Sequence, residues 1–586
     1  GCTAWDEEGV RVAAAPLMFF VNPPRLWGGL DLQQVTAYIA DVTDDITDVW
    51  VEDSSGGTHA VDWSWDPEDP GRLLATVPAA SLGAGDYRLA FSQGGDCAGE
   101  TSGQFEIRGG TSLQLLSVEP EQAWTFDRTP IQIEAQGGLE ATPRVYMVNA
   151  TTGESASLLG VHLLDEDTLT ATVPDGLSLG DWHLLVYNPD EGMGRLLRAI
   201  EVTSDPPPSI ESVRPATLPR GGSEDFQVVG RNFRDATVTL ECADGSSLTP
   251  TVLSETSARL NLRANTNALS PTICLVRLSN ADGSQTQFAS ISVTNPSQNL
   301  FPWSEGPELN EARRAPAAGA VRANALNRYV VVMGGDEGDH STARRTIEVA
   351  PIGVYSDLGD FELLPGELPG ARTLSQAVVI GPFVYLVGGR NTVQSVATTH
   401  RARILDPLDV PLFETLSLRT GQGLEPGTWT YRVAALYPSD DPNNPSGESL
   451  PSDPFTLVLP ASTAGIQPTL SWTAMDGASG YRIYRSPQVD APNGEERWLT
   501  DVSVEEFTDT GGATSGSVSP LPVGSLGNWA QVDSLKQARA GACVTTVPDP
   551  NPDPEIVWIL AAGGMDSDGN PLDSIEALQV RIEGPR

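Results

Sequence analysis

Apolar and polar residues alternate in short runs along much of the chain. Phe105-Glu106-Ile107, Ile200-Glu201-Val202 and Ile291-Ser292-Val293 place apolar side chains at every second position, the period of a strand with one buried face. These runs close units that repeat. Val21-Asn22-Pro23, Val118-Glu119-Pro120 and Val213-Arg214-Pro215 recur at offsets of 97 and 95 residues. Ala75-Thr76-Val77-Pro78 is matched by Ala171-Thr172-Val173-Pro174, and both lead through a turn into Asp86-Tyr87-Arg88-Leu89 and Asp181-Trp182-His183-Leu184. The third unit is looser, with Leu260-Asn261-Leu262 and Cys274-Leu275-Val276-Arg277-Leu278 in the same places. A period of this length is one small domain, so three tandem β-sandwiches are predicted, over residues 1–110, 111–204 and 209–296. The joints at Gly109-Gly110, Asp205-Pro206-Pro207-Pro208 and Asn295-Pro296 are short and mostly proline-bearing, which predicts a semi-rigid rod.

After residue 300 the pattern changes. Trp303 stands ten residues before Arg313 and Trp529 ten before Arg539, with Phe361 eleven before Arg372. Each copy runs into an apolar strand ending in a glycine pair: Gly334-Gly335, Gly388-Gly389 and Gly563-Gly564. A further strand follows, as in Ile347-Glu348-Val349 and Ile575-Glu576-Ala577-Leu578. The second and third glycine pairs are 175 residues apart, against 54 for the first and second. Residues 409–524 therefore read as an insertion between copies at 300–408 and 525–586.

Three resemblances accompany these patterns. Ile210, Val213-Arg214-Pro215, Gly221-Gly222 and Phe226 through Gly230-Arg231-Asn232-Phe233 resemble the opening of an IPT/TIG immunoglobulin-like domain. The first two units keep Val-x-Pro but lose the Gly-x-Asn-Phe turn, so they resemble divergent members. The aromatic, Arg and Gly-Gly copies resemble kelch repeats, which implies one four-stranded propeller blade per copy. Within the insertion, Gly427 through Ala435, Leu470-Ser471-Trp472 and Gly480 through Arg485 resemble fibronectin type III strands. The Trp strand follows the Tyr-x-Val-x-Ala strand here, the reverse of that family's order, which implies a permuted or strand-swapped sandwich. Three blades do not close a propeller, so residues 300–405 and 525–586 are expected to contact a protein partner or further blades of the same chain.

Composition sharpens this picture. The 58 Gly and 46 Pro in a chain that is 39% hydrophobic favour short strands and turns, and the expected fold class is all-β. The 35 basic and 77 acidic residues give a net charge of −42, which argues against nucleic acid or anionic lipid as a partner. Lys536 is the only lysine, which leaves Schiff-base chemistry a single candidate. No run of about 18 apolar residues is present to cross a membrane as a helix.

Candidate chemistry is sparse. Cys242 and Cys274 occupy strand-like runs of one sandwich, and a secreted protein would join them if those strands face each other. Cys2 after Gly1 reads either as a lipid attachment site, which would be the one link to a membrane, or as the disulfide partner of Cys97. Cys543 reads as a buried strand position. Asp566, Asp568, Asn570 and Asp573 have the alternating oxygens of a calcium loop, with Glu576 as a later ligand, or form a polar turn after the glycine pair. Trp63 and Trp65, alternating beside Asp66, Glu68 and Asp69, fit either sugar stacking or packing. A copper site like that of galactose oxidase, a kelch propeller enzyme, would need two His and a Cys-linked Tyr, for which His340, His400 and Cys543 are the candidates.

The expected function is non-enzymatic, with no cofactor unless calcium binds. The rod would present a kelch and fibronectin-like head for protein or glycan binding, adhesion or assembly at the outer surface of a bacterium. A carbohydrate-active enzyme and a subunit of an extracellular filament are the alternatives.

Overall fold

The computed structural model describes residues 2–581 except 7–8, 14–16, 41–45, 67–70, 94–99, 102, 141–142, 190–191, 287–288, 296–304, 325, 354–357, 440, 442–446, 460–464, 514 and 549–555. The described chain is almost all β, with one four-residue helix, Ala79–Leu82, and two 3-10 turns. No described helix is long and apolar enough to cross a membrane.

The first three units are two-sheet sandwiches built on one plan. In each, the opening strand is split at the proline. Leu17–Asn22 pairs antiparallel with Gln33–Ala40, and the chain then crosses to the other sheet, where Arg25–Trp27 runs parallel to Gly103–Arg108. Leu115–Glu119 and Gln122–Trp124 repeat this in the second unit, and Ser209–Arg214 and Thr217–Pro219 in the third. Proline has no N–H to continue a ladder, so the Val-x-Pro motif fixes where the strand changes sheets. Each unit closes its own core, through Val35, Leu89 and Ile107, through Ile133, Leu184 and Val202, and through Val228, Leu262 and Val293. In the third unit a Cβ at Gly230 would lie 1.8 Å from the Ser209 carbonyl oxygen. Asn232 takes the left-handed conformation (φ 60°) that turns Phe233 into the core, which is the physical content of Gly-x-Asn-Phe.

The joints are packed. Trp27 and Leu30 of the first unit share an apolar cluster with Tyr146, Val148, Leu185, Tyr187 and Met193 of the second, and the Arg195 guanidinium lies 3.8 Å from the Trp27 ring centroid. The second joint is ionic: Arg277 of the third unit bonds Glu119 at 2.6 Å, and Gln285 bonds Glu121 at 3.0 Å.

Beyond the sandwiches lie three successive antiparallel sheets. Ala317–Arg322, Arg328–Met333, Ile347–Pro351 and Glu362–Leu363 form the first. Gln376–Ile380, Phe383–Val387, Thr399–Arg403 and Ala530–Val532 form the second. Cys543–Pro548, Ile556–Ala562 and Ile575–Arg581 form the third. Alternate residues knit them together: Tyr329, Val331 and Met333 pack with Val384 and Leu386, and Phe383, Tyr385 and Val387 pack with Ile559 and Ala561. A closed propeller is not formed by these sheets. Trp303 lies outside the described residues.

The second sheet takes its last strand from beyond the insertion, and the Ile404 to Leu526 bridge pins the insertion's two ends together. Inside it, Phe413–Gly421, Gly465–Trp472 and Glu506–Thr508 face a sheet ordered Phe455–Leu459, Gly427–Leu436, Gly480–Arg485, Arg497–Val502. The Trp472 strand is central to one sheet and the Tyr431 strand lies in the other. Core packing here depends on which sheet a strand joins, so their order along the chain is free to change.

This sandwich does not extend away from a rod. It folds back on the first two units: Tyr38 joins its core beside Phe455, Arg72 Nη1 donates to the Glu414 carbonyl at 3.3 Å, and Arg144 Nη2 donates to Thr456 Oγ1. The expectation of a head carried at the end of a rod is thereby corrected, because apolar and polar groups on those two units are matched by the insertion.

Candidate binding cleft

The residues singled out in the sequence do not converge on one centre. Cys242 and Cys274 are directly opposed on neighbouring strands of one sheet and are joined by a disulfide inside the third core. Cys2 begins the Cys2–Asp6 strand, while Cys97 lies outside the described residues. Cys543 is a strand residue but exposed, not buried, because it falls on the uncovered face of the third sheet. Trp63 and Trp65 meet edge to face at 6.4 Å and, half-buried, pack partly against the first core. Glu68 and Asp69 lie outside the described residues.

The proposed calcium loop is a hydrogen-bonded turn. Asp566 Oδ1 accepts from the backbone N–H groups of Asp568 and Asn570 at 2.9 and 2.8 Å, and those bonds hold its carboxyl below the usual range. Glu576 turns instead to Arg539 at 2.7 Å. Among the described residues no group of three or more His, Cys, Asp or Glu is placed to hold a metal. His340 pairs with Asp336 at 3.3 Å, and His400 is buried in the second sheet under the field of Arg372.

The copy-defining arginines are structural. Arg313 and Glu348, both side chains fully buried, bond at 2.6 Å. Burial pushes the Glu348 carboxyl up, but the Asn310 backbone N–H and Arg313 outweigh it and hold it below its usual value. Arg313 Nη1 also donates to the Gly334 and Thr346 carbonyls. Arg539 repeats this with Gly563, Ser574 and Glu576. In the second sheet His400 stands where the others have Glu, and Arg372 bonds Thr398 Oγ1 and the Ala371 carbonyl. Burial and then Arg372 depress the His400 imidazole.

The feature that can engage a ligand is a cleft of about 1320 Å³ between the first two units and the insertion. Among the described residues six carboxylates and three arginines line it, and two ion pairs lie on its wall. Arg88 bonds Glu52 at 2.7 Å, and Arg25 lies 3.5 Å from Glu106. Asp53 accepts from the Ser55 hydroxyl and the Gly57 N–H, which hold its carboxyl far below the usual range. The insertion closes the far side with Thr428, Thr456 and Asp490. Tyr187 lies along the wall with its hydroxyl given to the Arg25 carbonyl at 2.8 Å, and burial pushes that hydroxyl's pKa far up. The described lining contains no His, Cys or Lys. Such a surface offers directed hydrogen bonds and fixed charges, the means of recognising a polar ligand. The cleft was invisible in the sequence because its walls come from segments hundreds of residues apart, and no local motif marks them.

No protein-family model matches the chain, and no curated protein matches it. Among solved structures the chain is similar to a titin I-band fragment, at 14% identity and a TM-score of 0.14, covering 49% of this chain and 100% of that one. A mutated variant of three immunoglobulin domains of titin gives 14%, 0.14, 48% and 97% for the same measures. The chain is also similar to SGBP-B of the Bacteroides ovatus mixed-linkage glucan utilization locus, in complex with a mixed-linkage heptasaccharide, at 15% identity and a TM-score of 0.16, covering 46% and 65%. Likeness at this level carries neither family nor function.

Proposed function

We propose that this chain is a non-enzymatic, extracellular binding protein of bacterial type whose receptor body is the first two sandwiches clamped by the insertion. The observation that carries this reading is the cleft those three bodies build together, lined by six carboxylates and three arginines. The ligand class is polar, a glycan or a protein segment. The Cys242 to Cys274 bridge supports an oxidising compartment outside the cytoplasm. The repeated Arg clasps and glycine pairs support reading the three sheets as kelch blades, and the two-sheet packing around Trp472 and Tyr431 supports a permuted fibronectin type III sandwich. The galactose-oxidase-like alternative finds no support, since His340 and His400 serve separate local contacts.

The test is binding of the intact chain to an oligosaccharide array and to immobilised extracellular protein, compared with Arg88→Ala/Asp490→Ala. Ligands retained by the native chain and lost by the double variant are expected. Equal retention by both would place recognition elsewhere.

A further inference from the structure

The contacts between the three sheets repeat closely. Gly335 N–H donates to the Arg372 carbonyl at 2.8 Å, and Gly389 N–H donates to the Arg539 carbonyl at 2.9 Å. In the opposite sense, Leu374 N–H donates to the Ala315 carbonyl at 3.1 Å and Gly541 N–H to the Leu374 carbonyl at 2.8 Å. Ala315, Leu374 and Gly541 occupy one structural position, and all three are left-handed, with φ of 51°, 54° and 62°. Two non-glycine residues hold this disfavoured conformation, which marks the joint as a built interface. By the same register, Gly564 N–H and the Gly541 carbonyl on the third sheet are the next donor and acceptor. The first sheet offers their complements, the Arg313 carbonyl and the Ala315 N–H.

The side chains follow the same rule. Ile347, Thr399 and Ile575 are equivalent positions at the start of each third strand. Ile347 is 1% exposed and Thr399 is 3% exposed, whereas Ile575 is 67% exposed. Val547 on the same face is 38% exposed, and Leu560 and Ala562 beside them stand where Val331 and Met333, then Tyr385 and Val387, pack against the following sheet. On the other flank, Ala318 and Ala320 of the first sheet are exposed beside half-buried Val330 and already buried Val332, where Ala377 and Val379, next to Val384 and Leu386, receive the preceding sheet.

We propose that the third sheet of one chain docks onto the first sheet of a second copy of this chain, continuing the joint already made twice within each. The two free flanks are complementary in backbone donors and acceptors and in apolar surface, so a head-to-tail contact satisfies both. A two-fold axis makes the contact twice and brings six sheets into one ring. That number is within the range of about four to eight blades in which such rings close. The contact removes Ile575 and Val547 on one side and Ala318 and Ala320 on the other from water, and exposed apolar side chains grouped on an otherwise acidic protein mark an association surface.

Sedimentation velocity of the intact 586-residue chain tests this. A dimer is expected, and Ile575→Asp, on a side chain that the fold leaves exposed, should yield a monomer with unchanged far-ultraviolet circular dichroism. Ile575→Val is expected to remain dimeric. A native chain that stays monomeric up to about 100 μM, weaker than most specific dimers, would overturn the proposal. A dimer unaffected by Ile575→Asp would overturn it too, by placing the contact on another face. If a longer chain carrying further copies of the repeat after residue 581 is monomeric, the flank is filled by its own sheets and the second-copy assignment is wrong.

Discussion

Asp453 of the inserted sandwich accepts a hydrogen bond from the backbone N–H of Gly160 in the second unit at 2.7 Å, across 293 residues of sequence. A Cβ on Gly160, itself left-handed at φ 55°, would meet Leu408 at 2.8 Å. The close approach of this turn to Leu408 therefore depends on glycine. Burial pushes the Asp453 carboxyl up, partly offset by the N–H groups of Gly160 and Val161.

Asp453→Ala should loosen this clamp, at a cost of roughly 1–3 kcal/mol for an unpaired buried donor. Hydrogen exchange at Gly160 and Val161 is expected to quicken, and small-angle scattering should report a larger radius of gyration. Unchanged exchange at both amides would mean that the contacts through Tyr38, Arg72 and Arg144 hold the insertion without it.

The buried Arg313 to Glu348 clasp is predicted to hold the first sheet. Glu348→Ala removes the buried partner and leaves Arg313 with Glu311 at 3.1 Å and the Gly334 and Thr346 carbonyls, so the cost is expected below about 3–5 kcal/mol, that of a fully broken buried pair. A lower unfolding midpoint for the second half, with the sandwich transitions unmoved, is the expected result in calorimetry. His400→Glu should act in the opposite direction by giving Arg372 the carboxylate its counterparts have, which urea unfolding would detect.

Reduction of the Cys242 to Cys274 bridge, with a sequence separation of 32, should cost the third unit about 2–4 kcal/mol. Thermal unfolding with and without reductant measures this. Peptide mapping of unreduced protein should recover the two cysteines in one linked fragment.

His162 gives the second unit a pH dependence. Its Nε2 is buried without a hydrogen-bond partner, and burial lowers its pKa from 6.5 to about 4. The unfolded chain takes up a proton as pH falls through 6.5, and the folded chain resists until about 4. The stability is therefore full above the upper value and lost across that window, by up to about 3 kcal/mol. Denaturant titrations at pH 7 and pH 4.5 should show the loss, and His162→Leu should remove most of it.

Local rules along the chain determined much of this protein. Val-x-Pro marked the sheet crossing in three sandwiches because proline cannot donate to a ladder. Period-two alternation at Phe105 and Ile107, or Ile291 and Val293, marked the buried faces. The recurring aromatic, Arg and glycine pair gave the three later sheets, since a buried guanidinium and two positive-φ residues leave little choice of residue type. Only tertiary structure decided that Cys543 faces outward, that Asp566 caps a turn, and that Trp63 and Trp65 pack together. It alone placed the insertion against the first two units and so created the cleft. Those outcomes depend on which surfaces meet across hundreds of residues, through pairs such as Asp453 with Gly160 and Arg72 with Glu414, and such pairs leave no periodic signal in sequence.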